Sequence, residues 1–261
     1  MRTPPTLAAA LASLALASGC AGTSTNAAAP PPTATTPAAS PTTAVPTPSA
    51  TLVPTPTPSA IPSRTTRAAV PAPPFRASVR GVTAAGLGKS WHAGCPVGPS
   101  SLRALTVTFW GFDHKAHAGT LVVNASAVAA MTSALKRMYA GRFPIRRMVP
   151  VSAYGGDDNK SMAADNTSAF NCRYAVSNGP KTWSMHAYGL AIDINTVENP
   201  YTLDGKVRPP SGAPYTNRSN VRPGMIVRGS VPVLAFSAVG WGWGGNWSSS
   251  PDYQHFSSNG K

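Results

Sequence analysis

The chain has 261 residues, with 22 Lys plus Arg against 8 Asp plus Glu and a formal net charge of +14. That balance draws it towards polyanions: nucleic acid, anionic lipid head groups or an anionic cell wall. The basic residues are scattered, as Arg146-Arg147, Arg173, Arg208, Arg218, Arg222 and Arg228. They form no basic run and are not interleaved with stacking aromatics, so nucleic acid is not an expected partner.

The N-terminus bears on compartment. Met1-Arg2 is a minimal positive start, Leu7 to Ala17 is a short apolar stretch, and Ser18-Gly19-Cys20 closes it with small residues. The stretch is too short to span a bilayer as a helix and reads as a secretory signal over 1–20. A cysteine directly after Ala17-Ser18-Gly19 resembles a bacterial lipoprotein processing site, which would make Cys20 a lipid-bearing membrane anchor. The alternative is ordinary secretion with cleavage near Cys20. Either route takes the mature chain out of the cytoplasm. From Ala21 to Pro74 the sequence is almost entirely Pro, Thr, Ala and Ser. Such a segment cannot bury a core and is expected to be a disordered, locally extended tether.

The folded part is expected over 75–261, enough for one domain with a proper core. Leu105 to Trp110 alternates as a half-buried strand does, and Thr120 to Val123 reads as another. Ser126 to Ala140 places Val128, Met131, Leu135, Met138 and Tyr139 at helical spacing, with Asn124 or Ser126 as cap and Gly141 as stop. Ile145 to Tyr154 looks like a strand. Leu190 to Ile194 is a short apolar strand that contains Asp193, and a buried carboxylate is costly unless it is paired or holds a metal. Thr196 to Arg228 reads as a long ordered loop, Ser230 to Val239 as a second helix with Pro232 in its first turn, and Tyr253 to Phe256 as the last strand. The pattern predicts an α+β domain with a small, mainly antiparallel sheet and helices packed on one side. Oligomeric state has no signature in the sequence.

With Cys20 set aside, Cys95 and Cys172 are an even pair in an oxidising compartment and are expected to form a disulfide. The alternative, zinc ligation by these thiols, lacks a CxxC pair.

Ser184-Met-His-Ala-Tyr-Gly-Leu-Ala-Ile-Asp193 and, near the end, Asp252-Tyr-Gln-His255 together offer two imidazoles, a close carboxylate and a spare one. Three protein ligands with a fourth position open for water describe a catalytic zinc site. His186, Asp193 and His255 are the candidate ligands. Tyr188-Gly189 argues for a turn that folds His186 back over the strand bearing Asp193. Asp252, three residues before His255, is the candidate general base. His114 and His117 read as a surface loop or substrate rim. Trp241, Trp243 and Trp247 read as core beside the last strand, with an aromatic cleft wall as the alternative. Tyr188 and Tyr253 are further candidates for the cleft.

The block Ser184-x-His186-x-x-Gly189-x-Ala191-x-Asp193, with Asp252-x-x-His255, resembles the D-alanyl-D-alanine carboxypeptidase and L-alanyl-D-glutamate peptidase family of bacterial wall enzymes, the VanY type. The resemblance extends to Asp165–Arg173 and Trp241–Asn246, and covers about Cys95 to Phe256. It implies a zinc peptidase in which His186, Asp193 and His255 hold the metal and Asp252 is the acid and base. It also implies a substrate-facing arginine, for which Arg173 is the match, gripping a terminal carboxylate or the developing oxyanion. Ser184 would touch substrate or orient His186. Lysostaphin-type endopeptidases end in His-x-His, whereas Tyr253 stands two before His255 here. The implied activity is hydrolysis of peptidoglycan stem peptides, with D-Ala-D-Ala carboxypeptidase action favoured by Arg173. L-Ala-D-Glu endopeptidase action, or a silent wall-binding lipoprotein, are the alternatives.

Overall fold

A computed structural model describes residues 72–176 and 179–261. The expected signal over 1–20 with Cys20, and the linker as far as residue 71, lie outside the described residues. In chain order the elements are β1 (Ala77–Gly81), α1 (Ala84–Leu87), β2 (Leu102–Trp110), β3 (Ala116–Asn124), α2 (Val128–Ala140), α3 (Asp158–Ala163), β4 (Ala191–Asp193), β5 (Tyr201–Leu203), β6 (Lys206–Arg208), α4 (Val231–Ser237), β7 (Gly242–Trp243) and β8 (His255–Ser257). The architecture is α+β, as expected, but the antiparallel strands divide into two three-stranded sheets, ordered β1-β2-β3 and β4-β8-β7, plus the hairpin β5-β6.

Period-two patterning builds the first sheet. Leu105, Val107 and Phe109 of β2 point into the core, while Thr106 points out and bonds its cross-strand partner Thr120 through their hydroxyls at 2.8 Å. α2 lies on the inner face. Its Met131, Ala134, Leu135 and Met138 recur at helical spacing and are buried, each large side chain contributing about 1.5–3 kcal/mol by leaving water. The helix is preceded by a 3-10 turn, Ala125–Ala127, capped by Asn124, whose Oδ1 accepts from Ser126 N. One apolar cluster joins β2, β3 and α2 to α4 and the second sheet through Phe236, Ile192, Ile194, Phe256, Trp241 and Trp243.

Two expectations need correction. Ile145 to Tyr154 is not a strand: Ile145, Met148 and Val151 are buried at every third residue, with Arg146 and Arg147 turned outward. Its only strand-like pairing among the described residues is the bridge of Met148 to Thr167, beside that of Trp110 to Pro144, and Val151–Tyr154 forms a 3-10 turn. Pro144 and Pro150 lack the N–H that a ladder requires. Thr196 to Arg228 is more than a loop, since it contains the β5-β6 hairpin and a 3-10 segment, Pro210–Tyr215. Arg218 staples it by donating to the Glu198 carbonyl at 2.8 Å and to Asn199 Oδ1 at 2.9 Å. The last strand runs over His255–Ser257, slightly later than expected.

Cys95 and Cys172 form a disulfide, their Cα atoms 5.9 Å apart. It ties the segment ahead of β2 to the residue before Arg173. The two sheets meet at Asn124, whose N–H donates to the Gly189 carbonyl at 2.8 Å and whose side-chain amide donates to the Tyr188 carbonyl at 2.9 Å. Gly189 has φ +68°, and a Cβ there would stand 2.6 Å from Asn124 N. Gly189→Ala therefore combines left-handed strain with a backbone clash and is expected to cost about 2–4 kcal/mol in denaturant unfolding. Gly205→Ala, at φ +71° but with open space around it, should cost only about 1 kcal/mol.

Candidate metal centre

Ser184 opens the site. Its Oγ accepts from His186 N at 3.3 Å and so caps a 3-10 turn, Met185–Tyr188. Gly189 then adopts the left-handed conformation and redirects the chain into β4, which carries Asp193 at its end. β4 and β8 pair with Asp193 directly opposite His255. On its other side, Asp193 exchanges two backbone hydrogen bonds with Ser168. The turn, the strand register and this flanking segment bring three side chains together from sequence positions up to 69 apart.

His186 Nε2 lies 3.1 Å from Asp193 Oδ2, His255 Nδ1 lies 3.1 Å from Asp193 Oδ1, and the two ring nitrogens are 3.2 Å apart. All three residues are buried. The opposite ring nitrogens face oxygens that can only accept: His186 Nδ1 meets the Ala169 carbonyl at 2.5 Å, and His255 Nε2 meets a main-chain oxygen of Lys261 at 3.3 Å. With a metal among them, each imidazole would keep its proton on the outer nitrogen and turn a lone pair inward. Two lone pairs and a carboxylate facing one point repel unless a cation sits among them. Donors on tetrahedral zinc, bound at 2.0–2.1 Å, are about 3.3 Å apart, so the observed triangle fits such an ion.

The surrounding charges divide two carboxylates into opposite roles. Burial alone would raise the Asp193 carboxyl, but the His186 and His255 imidazoles outweigh it and hold Asp193 far below the ordinary range. Asp252 is pushed up to about 7, first by burial and then by the negative charge of Asp193. Its Oδ1 is buried and has no hydrogen-bond partner among the described residues. Arg173 Nε lies 2.9 Å from Asp158 Oδ2, and its Nη2 lies 3.9 Å from Asp193 Oδ2. Burial works against the Arg173 charge, yet the Asp158 and Asp193 carboxylates more than offset that and raise its pKa.

Asp158, Arg173, His186, Asp252 and His255 line a cleft of about 730 Å³, together with Ser184, Trp183, Trp247 and Tyr201. Arg173, Ser184, His186, Asp193, Asp252 and His255 are thus brought together, whereas His114 and His117 are not. Trp241 and Trp243 are buried in the core, whereas Trp247 reaches the cleft wall. The tyrosines expected there do not line it: Tyr253 packs under the Arg218 guanidinium, and the Tyr188 carbonyl is spent on Asn124. Tyr201 takes that place. Asp158 and Tyr201 had no motif to mark them, although Asp157-Asp158 after two glycines is a helix-start signal for α3. His117 pairs with Asp113 in an exposed loop. His92 lies beside Cys95 and Cys172, but both sulfurs belong to the disulfide.

Zinc titrated into the metal-free chain should bind at one equivalent per chain and raise the melting temperature, and His255→Ala should lose both effects. Asp252 binds its proton more tightly folded than unfolded, so its contribution to stability is lost as pH rises from about 4 to about 7. Asp252→Asn should then raise the melting temperature of the metal-free chain, with the gain opening across that window and flat above it.

Residues 178–258 match the family model of D-alanyl-D-alanine carboxypeptidase. The matched segment is less than half of the chain. It includes His186, Asp193, Asp252 and His255 and stops short of Arg173. No curated protein and no solved structure matches the chain.

Proposed function

We propose that the chain is a zinc-dependent peptidase that hydrolyses the stem peptides of peptidoglycan, removing a terminal D-alanine. The observation behind this reading is the triangle of ligand atoms at 3.1–3.2 Å beside a raised carboxyl whose Oδ1 has no partner among the described residues. The carboxypeptidase family match over the same residues supports it. His186 Nε2, His255 Nδ1 and Asp193 would hold the metal. Bound there, zinc supplies a Lewis acid for the scissile carbonyl and makes water a better nucleophile near neutral pH.

The chain's own groups account for the proton traffic and the positioning. Asp252 accepts a proton from the attacking water on its free Oδ1 and returns it to the leaving amine nitrogen. Its position near 7 suits both directions of transfer. Arg173, held through Nε by Asp158, is left with its outer nitrogens for a substrate carboxylate or oxyanion. Ser184 acts on His186 by capping its turn. The proposed setting is extracytoplasmic, with Cys20 lipid-anchored and the Pro-rich tether spanning part of the wall. The net charge of +14 favours residence among wall carboxylates and phosphates.

The full chain, loaded with zinc, should be incubated with a stem pentapeptide ending in D-Ala-D-Ala and followed by mass. Loss of one alanine, abolished by His186→Ala, is the expected result. A cut within the stem would reassign the bond to the endopeptidase class. Intact peptide from a zinc-loaded chain would overturn the hydrolase reading in favour of a silent wall-binding protein.

A further inference from the structure

Tyr201 is the cleft residue that the reading above leaves without a task. It opens β5 and is joined to Asp252 by an isolated antiparallel bridge, with the next N–H, of Thr202, donating to the Pro251 carbonyl at 3.3 Å. Residues directly opposite across such a bridge project their side chains to one face, with Cβ atoms about 4.5–5.5 Å apart. Tyr201 and Asp252 both line the cleft, as do Arg173, His186 and His255. The tyrosine is therefore fixed to the backbone that carries the proposed base, not merely near it.

The mounting is rigid. β5 and β6 are joined by Asp204-Gly205, both at positive φ (+49° and +71°), which is the backbone of a tight two-residue hairpin turn. The phenol hydroxyl donates to no described residue, although the ring is half-buried. A half-buried hydroxyl with nothing to donate to inside the protein is available to a ligand. Asp252 has the complementary deficit, a buried oxygen with no donor. One group can take a proton and its bridge partner can offer a hydrogen bond.

Resting on the peptidase reading, we infer that Tyr201 donates its hydroxyl hydrogen bond to the scissile carbonyl oxygen of the peptide as negative charge develops there. Asp252 accepts only while ionised, so it cannot serve that oxygen. Arg173 is partly committed to Asp158. Tyr201 is an uncommitted neutral donor on the same wall, fixed to the strand position opposite Asp252. Burial, followed by the opposing charges around it, leaves its phenol pKa above the ordinary value, so it remains an O–H donor wherever the peptidase works. A neutral donor also leaves Asp252 Oδ1 free to accept, which a second cation beside it would not.

The test compares the zinc-loaded full chain with Tyr201→Phe, which removes one oxygen and keeps the ring. With a peptide ending in D-Ala-D-Ala, kcat should fall about 10²-fold, the typical loss for one donor to a developing oxyanion, and KM should stay within roughly twofold. Zinc content and melting temperature should match the parent. A phosphinate analogue of the tetrahedral state should bind the variant about 10²-fold more weakly. An active parent whose variant keeps kcat within roughly twofold, or loses only in KM, would overturn the role of Tyr201 and leave the peptidase reading intact. A zinc-loaded parent that cleaves no such peptide would overturn both.

Discussion

The convergence of two imidazoles and a carboxylate on one buried point is the constraint on which the rest of the structure depends. His186 and His255 each have an outer acceptor for an N–H, on Ala169 and Lys261, so a bound metal would meet their inner lone pairs and the Asp193 carboxylate. Such an arrangement is unfavourable in the buried interior without a cation, and the fold supplies force from several sides to maintain it. The β4-β8 register sets Asp193 opposite His255. Ser168 holds the strand from its other edge, and Asn124 clamps the His186 turn onto the first sheet. The large apolar cluster that spans both sheets makes these attachments rigid.

The same buried site sorts two carboxylates by environment. Asp193, between two imidazoles, remains ionised well below the ordinary carboxyl range; Asp252, desolvated and facing that negative charge, is raised to about 7. Separation of this kind lets one acid act as a fixed anion while its neighbour trades protons. Arg173 links the two fields: it approaches Asp193 through one nitrogen and is steadied by Asp158 through another. The cleft above them is framed by segments from four parts of the chain, and the Cys95–Cys172 disulfide and the Arg218 staple anchor residues next to two of them.

The residues that converge on the candidate site were more legible in the sequence than the architecture around them. An acid inside an apolar strand is physically anomalous, so Asp193 announced itself, and the flanking glycine marked the turn that returns His186 over it. β2 and α2 were legible because their apolar residues recur at clean periods of two and about 3.6. The segment 145–154 misled because burial at every third residue beside two arginines imitates alternation, while its prolines forbid a ladder. The 196–228 segment is stabilised by side-chain contacts to backbone, through Arg218 and Asn199, and these leave no periodic trace. Asp158 and Tyr201 reach the cleft only through an ion pair and a strand bridge with distant residues, so local pattern could not find them.

The central claim is that His186, Asp193 and His255 form the metal site. Zinc K-edge X-ray absorption on the full chain carrying one equivalent of zinc tests it most directly. The account predicts a first shell of nitrogen and oxygen at about 2.0–2.1 Å, with imidazole scattering and no sulfur. Sulfur at about 2.3 Å, as ligation by Cys95 or Cys172 would give, or a chain that takes up no zinc, would contradict it.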